Sequence, residues 1–153
     1  MSRDHLAKKT AEKLYSNDRF SQLLGIEIKE VSPGRCVLEM RVRADMMNGF
    51  NIAHGRVTFS LADSALAFAS NSHGRLSVAL ETSMTYPASV KLGDVLTAVA
   101  EEINLTNKVG VYQITITNQH NVKVGLFNGT VYRTSKELLS GDGRVDTGTL
   151  ANQ

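Results

Sequence analysis

The chain is 153 residues long, 42% hydrophobic and 21% charged, a length and composition that hold one soluble globular domain. Its 17 Lys and Arg against 15 Asp and Glu leave a formal charge of +2, too little for a nucleic-acid footprint, and no basic run supplies one. No apolar stretch reaches the roughly 20 residues of a membrane span, the first residues lack the apolar core of a signal peptide, and the single cysteine, Cys36, excludes an internal disulfide, a CxxC redox pair and a cysteine metal cluster. A reducing cytoplasm is the expected compartment.

In chain order, residues 4–24 predict a helix, with Asp4 at its start, Leu6, Leu14 and Leu24 recurring among lysines, and Gly25 as its stop. The period then changes to two. Ile26 and Ile28 alternate with Glu27 and Lys29, Ser32-Pro33-Gly34 turns the chain, and Cys36, Leu38, Met40 and Val42 alternate with Glu39, Arg41 and Arg43. This pattern predicts a hairpin of two half-buried strands. Residues 44–56, rich in Asn and Gly, read as an ordered loop. Residues 57–72 are apolar, alanine-rich and poor in β-branched side chains, so they predict a buried helix ended by His73-Gly74.

Four strands are expected at about 77–86, 94–104, 109–118 and 122–133, and their short links predict antiparallel neighbours. Residues 140–153 predict a loose tail, leaving 1–139 as a single domain. The fold class is therefore α+β, with one long helix against an antiparallel sheet. The helix carries small side chains at Ser60, Ala62, Ser64, Ala65, Ala67, Ala69 and Ser70, which a sheet curled around it would explain.

Chemistry concentrates in residues 47–63. Asp63 is an acid inside an otherwise apolar helix. It reads either as a buried carboxylate satisfied by a nearby hydroxyl or amide, or as a catalytic group. Gly55 opens the helix. It either permits a turn or exposes a backbone N–H to a carbonyl oxygen that gains negative charge during attack. His54 either orients its loop, donates to a ligand or acts as a base, and no second ligand at metal spacing accompanies it, so no metal site is expected. Asp63 follows Gly55 by eight residues, about 12 Å along a helix at roughly 1.5 Å per residue. If both serve one reaction, they come from two subunits, and a two-fold dimer with antiparallel helices builds two such sites.

These residues resemble the hotdog-fold acyl-CoA thioesterases, and most of all their phenylacetate-degradation (PaaI-type) branch. The likeness is carried by Asn48-Gly49, His54-Gly55, Phe59-Ser60-Leu61-Ala62-Asp63, the run Ala67-Phe68-Ala69-Ser70-Asn71-Ser72 and the later Gly93-Asp94. It covers about residues 5–135. The resemblance implies a hotdog fold, a long central helix wrapped by a curved antiparallel sheet of about five to six strands, in dimers paired into tetramers. It implies hydrolysis of acyl-CoA thioesters, of aromatic, phenylacetyl-like acyl groups, with the Gly55 N–H polarising the thioester carbonyl. Asp63 of the partner subunit would serve as base or nucleophile, while Asn48 and His54 position substrate or water.

Coenzyme A enters as part of the substrate, so no cofactor is implied. Two departures stand out: Arg56 replaces the second glycine after His-Gly, and the usual Arg-Pro before Gly-Asp is Ala88-Ser89. Arg56, Ser64, Phe50 and Phe59 are the expected substrate contacts. Two competing readings remain: a non-catalytic acyl-CoA binding or sensing module, and hotdog hydratase or dehydratase chemistry.

Overall fold

The N-terminal helical stretch is two helices rather than one. In the computed structural model, which describes residues 1–139, α1 spans Arg3–Asn17 and α2 spans Arg19–Leu23. The tail expected at 140–153 lies outside the described residues. Ser2, not Asp4, caps α1, accepting from the His5 N–H at 3.2 Å. The break falls at Asp18, whose backbone leaves the helical region (φ −92°, ψ 82°) and whose carboxylate accepts the Ser21 N–H at 2.9 Å. A side chain that caps a new helix start competes with continuing the old one, which the leucine spacing does not reveal. Gly25, at φ +71°, ends the segment as expected.

The expected hairpin forms from β1 (Glu27–Ser32) and β2 (Arg35–Arg41), with Cys36, Leu38 and Met40 buried from β2, and Val42 just beyond it. A short 3-10 turn at Ala44–Met46 leads to α3 (Gly55–Asn71), then β3 (Arg75–Thr85), β4 (Val95–Leu105), β5 (Val109–Thr117) and β6 (Lys123–Glu137). All pairings are antiparallel and the six-stranded order is β1-β2-β4-β5-β6-β3. The links after β4 and β5 join neighbours as expected. The link from β3 to β4 does not: β3 pairs with β6 at one edge and β4 pairs with β2. Residues 86–94 are long enough to cross over α3, so link length alone does not decide adjacency there.

All six strands touch α3. Six strands at about 4.8 Å spacing are roughly twice as wide as a helix about 10–12 Å across, so the sheet must curl for both edges to reach it. Leu61, Ala62, Ala65, Leu66, Phe68 and Ala69 turn inward against Leu38, Leu96, Ile114, Ile116 and Phe127. Two of the described residues' edges matter for position: β1 lies against α1, and β3 is open. No helix among the described residues is long and apolar enough to cross a membrane.

The far end of α3 is tied to the β1–β2 turn. Gly34 sits at φ +75°, its N–H donates to Ser72 Oγ at 2.7 Å, and its carbonyl accepts the Glu102 N–H at 2.9 Å. A Cβ there would meet Glu102 Oε2 at 2.9 Å. Gly34→Ala therefore combines left-handed backbone strain with a crowded carboxylate. It should lower unfolding stability by about 1–3 kcal/mol in a denaturant titration, while leaving a site at the other end of α3 intact.

Candidate functional site

A helix start leaves four N–H groups without partners in the helix. At α3, His54 is the N-cap, with φ −60° and ψ 130°, and its Nδ1 accepts the Arg56 N–H at 3.3 Å. The Val57 N–H reaches the His54 carbonyl at 2.9 Å. Among the described residues no group accepts from the Gly55 N–H. A neutral imidazole that accepts at Nδ1 carries its proton at Nε2. His54 in this arrangement caps the helix through Nδ1 and leaves Nε2 directed to no partner among the described residues.

Beside this terminus lies a cavity of about 440 Å³. His54, Gly55, Arg56 and Phe59 line it from α3, and Thr82, Ser83, Met84 and Tyr86 line it from β3 and its end. Thr82, Met84 and Tyr86 alternate, so they share one face of the strand. Two Tyr86 ring carbons lie 3.4 and 3.5 Å from where a Gly55 Cβ would stand. Phe59 packs edge-on against Phe127, with ring centres 5.4 Å apart. The Arg56 guanidinium sits 5.5 Å from the centre of the Phe59 ring, a cation–π contact that holds the charge at the cavity.

Asp63 departs from the environment its neighbours predict. In the single chain it is exposed, and it does not line the cavity. Arg56 and Asp63 are the exposed positions of α3, and the half-buried Phe59, Ser60 and Ala67 lie three and four residues from them, which makes one outward stripe. Partial burial of the Asp63 carboxyl, and then the negative charge of Asp18, push its pKa above the ordinary value of 3.8. The Asp18 contribution depends on the α1–α2 break. Asp18 Oδ2 accepts from Ser21 Oγ at 2.5 Å, and Ser21 shares a 2.7 Å hydrogen bond with Ser64. Because the Ser21 proton goes to the carboxylate, Ser64 is the donor to Ser21.

The cavity thus gathers His54, Gly55, Arg56 and Phe59, and not Asn48, Phe50, Asp63 or Ser64. Ser64 is buried on the inner side of α3, bonded to Ser21, and makes no contact with the cavity. Asn48 Oδ1 accepts the Phe50 and Ile52 N–H groups at 2.9 and 3.3 Å, so its carbonyl is spent on its own loop. Phe50 is 87% exposed at the tip of that loop. Phe68 packs in the core, 6.3 Å from the Tyr15 ring. Cys36 is buried, donates to the Ala65 carbonyl at 3.3 Å, and has its thiol pushed up to about 12 by burial, which keeps it out of nucleophilic chemistry.

Sequence reasoning missed Thr82, Ser83, Met84 and Tyr86. They reach α3 only because β3 folds back beside β6. The one local signal was an aromatic residue directly before Pro87, a position held extended at a strand end.

Comparison with known proteins agrees with this architecture. The sequence pattern of the thioesterase superfamily matches residues 50–124. The acyl-coenzyme A thioesterase PaaI of Escherichia coli is 40% identical over 129 residues, covering 84% of this chain and 92% of the relative. The solved structure of the E. coli PaaI protein from the phenylacetic acid degradation operon superposes with a TM-score of 0.87 at 38% identity, covering 89% of this chain and 99% of that one. A hypothetical thioesterase protein of Streptococcus pneumoniae, solved with coenzyme A, superposes with a TM-score of 0.71 at 29% identity, covering 73% of this chain and 88% of that one.

Proposed function

We propose a specific reaction for this chain, which belongs to the thioesterase superfamily, has the hotdog fold and is an acyl-CoA thioesterase: hydrolysis of aromatic, phenylacetyl-like acyl-CoA to the free acid and CoA. The observation that carries the mechanism is the unpartnered Gly55 N–H at the start of α3, opening on a cavity of about 440 Å³. The thioester carbonyl oxygen lies against this N–H. As water adds to the carbonyl carbon, negative charge grows on that oxygen. The N–H and the positive end of α3 stabilise it there. The C–S bond then breaks and CoA leaves as its thiol.

Asp63 of the partner subunit takes the proton from water. On its own helix Asp63 is about 12 Å from Gly55 at roughly 1.5 Å per residue, and it does not line its own chain's cavity. Two features support pairing of chains: the outward stripe of α3 that bears Asp63, and the open β3 edge with Leu80 62% exposed. Two-fold pairing across them gives a homodimer as the minimal active unit, and pairing of dimers gives the tetramer. A carboxyl whose pKa is raised is the better base for water, because its proton affinity approaches the working pH. Asn48 holds the loop that carries His54, and His54 positions the carbonyl through its Nε2–H.

The acyl preference is supported by the cavity walls. Phe59 and Tyr86 present aromatic surface in a space suited to a ring and a short linker, while Arg56 stands at the rim for the nucleotide end. The test is a thiol-capture assay with phenylacetyl-, hexanoyl- and palmitoyl-CoA. We expect kcat/KM for phenylacetyl-CoA to exceed the aliphatic values by about tenfold or more. A preference for hexanoyl- or palmitoyl-CoA overturns the aromatic assignment, and CoA-ester binding without turnover overturns hydrolysis.

A further inference from the structure

An oxyanion is commonly held by more than one donor, and the backbone N–H that follows Gly55 is unavailable here. That position is Arg56, and its N–H donates to His54 Nδ1 at 3.3 Å. The carbonyl oxygen beside Gly55 therefore faces one free backbone N–H. Across from it stands Tyr86. Its ring lies against Gly55, and its hydroxyl oxygen is 3.7 Å from where a Gly55 Cβ would be. Among the described residues no hydrogen bond engages that hydroxyl. Tyr86 is exposed at the mouth of the cavity that Gly55 also lines.

The geometry points to the Tyr86 hydroxyl as the second oxyanion donor, completing with the Gly55 N–H the pocket in which the thioester carbonyl becomes charged. This inference rests on the thioester hydrolysis proposed above. The hydroxyl donates a hydrogen bond and keeps its proton, so the reaction stays balanced: water supplies the oxygen and proton, and CoA leaves as the thiol. The position of the ring has a second consequence. It covers the side of Gly55 on which a Cβ would stand, so a ligand carbonyl enters from the cavity side, between the phenol and Phe59. Tyr86 would thus be a catalytic residue for this chain, compensating for the arginine that follows His-Gly.

The experiment compares wild type with Tyr86→Phe, which removes one oxygen and keeps the ring. Steady-state constants are measured on phenylacetyl-CoA, with melting temperature as a control. The second donor contributes most in the transition state, so kcat should fall by about tenfold to a hundredfold while KM stays within about threefold. Tyr86→Leu, which also lacks the hydroxyl, should show a similar loss in kcat and a larger rise in KM from the missing ring. A Tyr86→Phe enzyme with kcat within about twofold of wild type overturns the assignment, as does a loss confined to KM. If that happens while Asp63→Asn is inactive, the hydrolysis stands and only the role of Tyr86 fails. Absence of turnover in the wild type on any acyl-CoA removes both.

Discussion

Asp63→Asn should lower kcat on acyl-CoA by roughly a thousandfold, within the 10²- to 10⁴-fold range of a lost general base, while the protein becomes more stable at neutral pH. The two effects share a cause. Burial and the nearby Asp18 charge raise the pKa of Asp63 above 3.8, so the native state favours its protonated form. The stability this contributes is fully present below pH 3.8 and is lost as pH rises through the raised native value. Asparagine carries no charge at any pH, so the variant should match wild type in acid and melt higher than wild type at pH 7. In the same measurements, wild-type kcat/KM should rise with pH through a limb above the ordinary aspartate range, and the variant should lack that limb. Full activity in Asp63→Asn removes the base, and a melting temperature below wild type at pH 7 removes the strained-carboxylate account.

A mixture of two inactive variants should regain activity. Gly55→Val puts a branched side chain into the cavity between Gly55 and Tyr86, where the thioester carbonyl is proposed to bind. The nearest atoms to a Cβ at that position are those of the Tyr86 side chain, at ordinary contact distances of 3.4 to 3.7 Å, so the fold should tolerate it. Asp63→Asn removes the base. In a mixed dimer, the Asp63→Asn chain supplies an intact Gly55 and the Gly55→Val chain supplies an intact Asp63, so one of the two composite sites is whole. Random reassortment makes about half of the dimers mixed, and the refolded mixture should recover about a quarter of wild-type kcat. A site contained in one chain predicts no recovery, because each chain is then defective by itself. The result is read against each variant refolded alone.

Much of the site's location was legible in the sequence because local rules dictated it. Gly55 at a helix start, His54 before it and Asp63 two turns on are fixed by the period of one helix. The geometric conflict between Gly55 and Asp63 follows from the rise per residue alone. The environment of Asp63 was not legible. Its neighbours in sequence are apolar, yet a helix turns about 100° per residue, and Asp63 falls on the one stripe that the sheet leaves uncovered. Ser64 illustrates the converse. One residue on, it points inward to Ser21, a partner that exists only because Asp18 interrupts the N-terminal helix. Phe50 and Phe59 look alike as aromatic candidates, but only Phe59 lies where β3 and α3 meet.

By itself, then, the sequence determined the alternating strands, the small-residue helix, its glycine start and the family resemblance, because these depend on periodicity and on contiguous motifs. Only the tertiary structure decided that β3 crosses over to pair with β6 and that Thr82, Met84 and Tyr86 form the wall opposite Gly55. The strand pairing joins residues 41 to 62 positions apart and the cavity wall joins residues about 30 apart, and no local pattern encodes a contact that arises only when one helix is wrapped by strands from both halves of the chain.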